Sequence, residues 1–394
     1  GTQVRRWVTV PRMIEPFRPR AWRIALTSAC LSLMIGLLSG CDSGPPPPTP
    51  EQVRAQLKRL MPASVNDRTG WAADIQAAFA ALEIEPSAQN LCSVLAVTEQ
   101  ESTYTANPVV PGLGKIARKE IEQRAARYKI PAFAGRAAMQ MKSPNGETWD
   151  TRIARVRTEK ELSDIFEEMT SRVPIGKRLL ARANPVRTGG PMQVSIAFAE
   201  AHAKERPYPY TVDGSIRHEV FTRRGGMYFG IAHLLGYPAS YDKPLFRFAD
   251  FNAGRYASRN AAFQNAVAVA TGIPLDLDGD LVRYRKDDNG SKASATESAV
   301  VSMADTLGMT PGEIRRALSD AHRSRFENSA LYSRVFAIAD KRSGRPLPRA
   351  TLPRIRLHSP KITRNLTTEW FATRANRRDR SFMARAKCTL GHTT

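Results

Sequence analysis

Two glutamates stand two positions apart near the end of a predicted helix, and either could move a proton. Ser87 can cap the start of this helix, and apolar residues then recur at helical spacing from Leu91. Glu99 and Glu101 both fall at the margin of the apolar face, and the periodicity does not choose between them. Partial desolvation raises the pKa of a carboxyl group, which suits it to general acid catalysis. The alternative is a pair of solvated acids in a last helical turn.

The helix introduces the first of three short motifs. We expect it to end near Asn107-Pro108, so that Glu101-Ser102 lies just before its end. Gly190-Pro191-Met192-Gln193-Val194 forms the second motif, at the start of a predicted helix that runs to Lys204. Phe251-Asn252-Ala253-Gly254 forms the third, within one long predicted helix over 247–271. In this order the motifs resemble Glu-Ser…Asn-Pro, Gly-Leu-Met-Gln and Tyr-Asn-Ala-Gly of the soluble lytic transglycosylase and goose-type lysozyme superfamily.

This resemblance selects Glu101 as the catalytic residue and implies its role. In lytic transglycosylases the corresponding Glu protonates the oxygen that joins muramic acid to glucosamine in peptidoglycan. It then takes a proton from the muramyl hydroxymethyl group, which closes an anhydro ring. One carboxyl group serves as acid and then as base, whereas ordinary retaining or inverting glycosidases need two. Asp250 is a second acid near a motif, but its neighbours indicate a role at a helix start.

The resemblance also implies a set of substrate-binding side chains. Gln193 would bind the glycan or brace the cleft floor, and Met192 would line the cleft or belong to the ordinary core. Asn252 offers an amide to the sugar or to the acid, and Ser102 would orient the carboxylate or cap a turn. Phe251 stands where the superfamily usually has Tyr, which removes a hydroxyl group near the acid. The alternative function is therefore a catalytically inactive lysozyme-like protein that binds glycan or a membrane partner.

The N-terminal segment predicts export and lipid attachment. Arginines precede an apolar run over 24–38, which is too short to span a bilayer and is typical of a signal peptide. We expect the natural chain to start at Met13, not at Gly1. Leu38-Ser39-Gly40-Cys41 resembles a bacterial lipobox, so residues 1–40 would be removed and Cys41 would receive the lipid, palmitate included. Asp42 hints at retention in the inner membrane, but the choice of membrane stays open. Residues 41–50 are rich in proline and form a stiff tether.

The net charge of +22 favours anionic partners in the envelope. We expect peptidoglycan glycan strands, the membrane and possible anionic envelope polymers as partners, and no nucleic acid, because export removes the chain from it. We expect no cofactor and no metal site: zinc-binding patterns do not occur, and the acids at 276–280 fit a polar turn better than a calcium loop. Cys92 and Cys388 remain after processing in an oxidising compartment, so we expect them to form a disulfide.

The predicted fold is mainly α. Residues 51–285 form the expected lysozyme-like domain, and a helical insertion at about 109–188 separates the first two motifs. Residues 286–394 form an expected α-helical extension that packs against this domain. Strand-like alternation is brief, as at 281–285 and 351–357. The whole chain also resembles an uncharacterised family of bacterial envelope lipoproteins.

Overall fold

Helices make up most of the described chain, as predicted. The computed structural model describes residues 46–172, 184–283, 293–357 and 366–390, with side chains up to Ala386 in the last range. The predicted signal peptide, Cys41 and the first part of the predicted tether lie outside the described residues. The described residues from Thr49 onward belong to one compact unit.

The elements follow in chain order. The helices are α1 (Pro50–Leu60), α2 (Arg68–Leu82), α3 (Ala88–Ser102), α4 (Leu113–Arg127), α5 (Ala132–Gln140), α6 (Trp149–Arg155), α7 (Glu159–Ser171), α8 (Ile196–Glu205), α9 (Ile216–Val220), α10 (Arg223–Leu235), α11 (Pro244–Ala253), α12 (Ala257–Thr271), α13 (Ala295–Val301), α14 (Ala304–Leu307), α15 (Pro311–Leu318), α16 (Ala330–Ser343) and α17 (Thr368–Leu390), with a 3₁₀ turn at Ser324–Asn328. The strands form two antiparallel pairs, β1 (Thr188–Gly189) with β2 (Val194–Ser195) and β3 (Arg356–Leu357) with β4 (Leu366–Thr367).

The start of α3 agrees with the sequence, but its end does not. Ser87 Oγ accepts a hydrogen bond from the Asn90 N–H and so caps the helix, as predicted. The helix stops at Ser102, five residues before the predicted end at Asn107. Thr103 and Tyr104 have φ of 50° and 58°, and two successive left-handed residues cannot continue a right-handed helix. Glu101 therefore lies in the last turn.

The second motif does not open a helix, which corrects the prediction. Gly190 to Gln193 form the turn of a hairpin between β1 and β2, and α8 begins only at Ile196. Gly190 has φ of 75° and Gln193 has φ of 51°. Both values are left-handed and incompatible with the helix that the sequence suggested.

The third motif ends a helix, where one long helix was expected. Gly254 has φ of 110°, which breaks the chain into α11 and α12. Asp250 is fully buried and accepts hydrogen bonds from the Tyr256 and Ser258 N–H groups, at 3.1 and 2.7 Å. These two N–H groups belong to the start of α12, so Asp250 caps that helix from the last turn of α11 and does not stand at the start of one long helix.

Two hydrophobic clusters hold the elements together. The larger contains α1 to α3, α10, α11 and the apolar face of α17. The smaller joins α12 to α13, α15 and α16. α10 is buried on almost every side, as its sequence predicted. The C-terminal helix α17 packs on both α3 and α11, so the last described helix of the chain returns to the first and third motifs.

Candidate functional site

The buried helix α10 contacts the second and third motifs and the helix that carries the first. Thr98, one turn before Ser102, directs its Oγ1 at Met227 Sδ at 3.8 Å. Gly226 and Gly230 admit Pro191 and Met192 of the second motif so closely that a Cβ on either glycine would collide with them. His233 Nε2 lies 3.2 Å from the Phe251 carbonyl oxygen of the third motif. The second motif lies about 90 residues after the first, and the third lies about 60 residues after the second. Segments this far apart in sequence thus contact the same helix, α10.

The first motif places Glu101 half-buried at the C-terminal end of α3. Ser102 next to it is buried, and its Oγ donates to the Thr98 carbonyl oxygen at 3.1 Å. Ser102 Oγ also accepts a hydrogen bond from the Thr105 N–H at 3.3 Å. Of the two predicted roles of Ser102, these contacts fit the cap of a turn.

Arg378 of α17 lies beside both candidate acids. Its Nη1 donates to Gln100 Oε1 at 3.0 Å. Gln100 lies between Glu99 and Glu101 in the sequence. Burial and the neighbouring Arg374 lower the pKa of Arg378, and the two carboxylates act in the opposite direction. Glu99 lines an open groove of about 1080 Å³ along α17, whose other lining residues include Trp370 and four arginines.

The second motif contributes a fully buried methionine and a turn-forming glutamine. Met192 has no exposed surface and packs against α10, which agrees with the core alternative for this residue. Gln193 Nε2 donates to the Gly190 carbonyl oxygen at 3.2 Å, and its Oε1 accepts from Thr188 Oγ1 at 3.3 Å. The amide therefore braces the hairpin turn.

The third motif is covered by α17. Thr368 is fully buried, and its Oγ1 donates to Asn252 Oδ1 at 2.8 Å. Phe371 stacks on Phe251 with ring centroids 6.4 Å apart, and the Phe371 carbonyl oxygen accepts from Gln100 Nε2 at 3.1 Å. One turn of α17 thus contacts the residue before Glu101 on one side and the Phe-Asn pair on the other.

His233 lies between the third motif and Arg255. Burial, and then the nearby positive charge of Arg255, lower the pKa of His233 to about 4. Its Nε2 faces the Phe251 carbonyl oxygen, which fits the neutral tautomer with a proton on Nε2. Its Nδ1 is buried and has no hydrogen-bond partner among the described residues. Sequence reasoning assigned no role to this histidine.

The sequence also predicted a disulfide between Cys92 of α3 and Cys388, and no metal site. Cys92 is buried, and burial raises the pKa of its thiol to about 12. The side chain of Cys388 lies outside the described residues, so the pairing stays a prediction. Among the described side chains, which cover residues 46–172, 184–283, 293–357 and 366–386, His, Cys, Asp and Glu form no cluster of three suited to a metal ion. Asp278 Oδ1 instead accepts the Asp280 N–H at 2.9 Å in a local turn.

Sequence reasoning missed the contribution of α17 to this site. The sequence predicted only that the C-terminal α-helical extension packs against the lysozyme-like domain. In the structure Phe371, Ala372 and Ala375 lie on the buried face of α17. Periodicity indicates which face is buried but not which elements cover it.

None of the helices in the described part of the chain has the length and apolar character needed to cross a membrane.

Comparison of the sequence with known proteins identifies a family and a relative of similar overall length. A mainly helical unit of this kind matches, over residues 64–385, a family model described as "Protein of unknown function (DUF1615)", and the chain belongs to this family. It is 51% identical over 371 residues to "Uncharacterized protein YaiW" of Escherichia coli (strain K12), which covers 93% of this chain and 99% of the relative. No solved structure matches significantly. The resemblance to lytic transglycosylases therefore stays a prediction.

Proposed function

We propose that the protein is a lipid-anchored envelope protein that binds peptidoglycan glycan strands without cleaving them. The observation that carries this proposal is the position of α17 between the Glu101 helix and the Asn252 helix. In the resembling superfamily, the space between these two motifs is where the glycan meets the acid. Here a segment of the protein itself contacts both sides of that space.

The contacts explain why cleavage is not expected. A general acid must come within about 2.6–3.2 Å of the oxygen that it protonates, directly or through one water. Asn252 Oδ1, which would accept from a sugar hydroxyl, already accepts from the buried Thr368. Phe251 faces Phe371 and has no hydroxyl with which to assist an acid. A sugar hydroxyl would have to compete with Thr368 for the Asn252 amide oxygen.

Charge supports the binding part of the proposal. Of the formal net charge of +22, residues 1–40 carry +5, so the anchored part would carry +17, and peptidoglycan carries carboxylates on its stem peptides. A lipid on Cys41 and the proline-rich tether would hold such a basic domain beside the cell wall. Binding of this kind is electrostatic in large part and should weaken as salt rises.

The test is sedimentation with purified peptidoglycan sacculi. We expect full-length protein in mild detergent to pellet with sacculi at low salt and to be released by high salt. Sacculi whose stem-peptide carboxylates have been amidated are the matched control and should retain much less protein. Equal retention by both, or no retention by native sacculi, would contradict the proposal.

A second candidate is the lytic transglycosylase, favoured by one observation. Glu101 is half-buried in the last turn of α3, and α10 contacts both the second and third motifs and α3. This function would require α17 to move during the reaction. The products released from sacculi separate the two candidates.

A further inference from the structure

We propose that the groove along α17 binds the phosphate groups of anionic lipid headgroups at the membrane surface. The groove has a volume of about 1080 Å³ and is open to solvent on one side of α17. That volume is far larger than one phosphate and matches the upper range of pockets for multi-group ligands. The proposal goes beyond glycan binding and does not depend on it.

Positive charge is concentrated in this groove. Four arginines line it, at positions 374, 377, 378 and 385, against two glutamates, Glu99 and Glu369. The spacing of three, four and seven residues puts the arginines on one helix face. Arg374 and Arg377 are exposed, and neither has an ion-pair partner among the described residues. Arg374 contributes to the lowered pKa of Arg378, so a bound anion would relieve repulsion within the cluster.

The donor types fit phosphate. A guanidinium presents a planar set of N–H donors that bind phosphate oxygens in pairs. Thr367, Thr373 and Ser381 add hydroxyl groups along the same groove. A ligand with two or more negative charges would balance the excess of two arginines over glutamates.

Two features favour a lipid surface over a soluble phosphate. Trp370 is 39% exposed at the groove, and the Arg374 guanidinium carbon lies 5.1 Å from its ring centroid. Tryptophan beside arginine is typical of membrane–water interfaces. In addition, α17 contacts α1, whose first residue, Pro50, follows Cys41 by nine residues. A chain of that length spans about 30 Å when extended, so a lipid on Cys41 would keep α1 near the bilayer.

Micelle binding tests the proposal. Full-length protein in neutral detergent is titrated with micelles that contain phosphatidylglycerol, and Trp fluorescence reports binding. We expect saturable binding that the double variant Arg374→Gln/Arg377→Gln weakens about tenfold or more, the loss of at least one charge-assisted hydrogen bond. The matched control, Arg316→Gln/Arg345→Gln, removes the same charge from two exposed positions outside the groove and should change binding little.

Further arms identify the ligand source. Glycerol 3-phosphate, a soluble phosphate, should bind much more weakly than the micelles, and phosphatidylcholine micelles should not bind. The proposal is overturned if wild type ignores phosphatidylglycerol, if both double variants weaken equally, or if glycerol 3-phosphate binds as tightly as the micelles. Loss of sacculus binding by the groove variant, with micelle binding intact, would reassign the groove to glycan and also overturn it. Failure of wild type to pellet with sacculi would leave the micelle result unaffected.

Discussion

Thr368 donates its hydroxyl group to Asn252 Oδ1 at 2.8 Å, across 116 residues of sequence. This bond attaches the first turn of α17 to the last turn of α11, and both residues are shielded from full solvent contact. It ties the C-terminal helix to the third motif, at the point where a glycan-cleaving site would need an open cleft.

Thr368→Val tests this attachment. The variant keeps the shape of the side chain but leaves the Asn252 amide oxygen without its donor, which should lower the free energy of unfolding by about 1–3 kcal/mol. Urea denaturation followed by circular dichroism measures the change. Thr368→Ser retains the hydroxyl group and should lose less. A Val variant as stable as wild type would mean that the bond contributes nothing to the folded state.

Gly230→Ala tests the packing of the second motif on α10. A Cβ at position 230 would collide with Met192, and overpacking of a core costs about 1–3 kcal/mol. Gly312 is a suitable control because a Cβ there meets nothing within 4 Å. Gly312→Ala should be neutral or stabilising by about 0.4–1 kcal/mol. Thermal unfolding of the two variants should therefore move in opposite directions, and parallel shifts would argue against the close contact.

His233 should make stability fall in mild acid. Its folded pKa of about 4 lies below the ordinary value of 6.5, so the unfolded chain binds the proton more readily. The contribution of His233 is full above pH 6.5 and is lost as pH falls towards 4, by about 2–3 kcal/mol.

His233→Gln removes this titration. The difference in free energy of unfolding between wild type and variant should shrink or reverse as pH falls through this window. The buried carboxyls of Asp250 and Asp379, whose pKa values are raised, titrate in both proteins and cancel in the difference. His322→Gln, at an exposed position, is the matched control. A pH-independent difference for His233→Gln would contradict the assignment.

Cys41→Ala tests the predicted anchoring. In a bacterial host fed labelled palmitate, the wild-type protein should incorporate label and the variant should not, because the lipobox cysteine is the acceptor. Cys30→Ala changes a cysteine within the predicted signal peptide and should still be labelled. Equal labelling of the Cys41 variant would exclude lipid attachment at this site.

Local features of the fold could be predicted from sequence, and long-range ones could not. The Ser87 cap and the burial of α10 follow from residue types and spacing. α3 differs, because it is buried on every side from Leu91 to Thr98, whereas the spacing predicted one buried face. The early end of α3 depends on left-handed conformations at Thr103 and Tyr104, residues that do not favour them intrinsically. Tertiary packing imposes such conformations, so local signals do not reveal them.

The candidate site shows the same division. The three motifs were named from the sequence, but the sequence did not predict that the second, the third and the helix of the first would contact one buried helix, α10. The contacts of Thr368 with Asn252 and of Phe371 with Gln100 could not be predicted from sequence. Contacts between residues so far apart in the chain depend on the shapes of both packed surfaces. The arginine groove was anticipated only as an overall basic charge.

The most direct test of the account is the analysis of products released from peptidoglycan sacculi. Wild type, Glu101→Gln and Glu99→Gln are each incubated with sacculi, and soluble muropeptides are scored for anhydromuramyl and reducing ends. We expect wild-type protein to remain on the sacculi and to release no more muropeptide than either variant. Release of anhydromuramyl products by wild type, reduced about 10²–10⁴-fold in Glu101→Gln but not in Glu99→Gln, would contradict the account and establish a lytic transglycosylase.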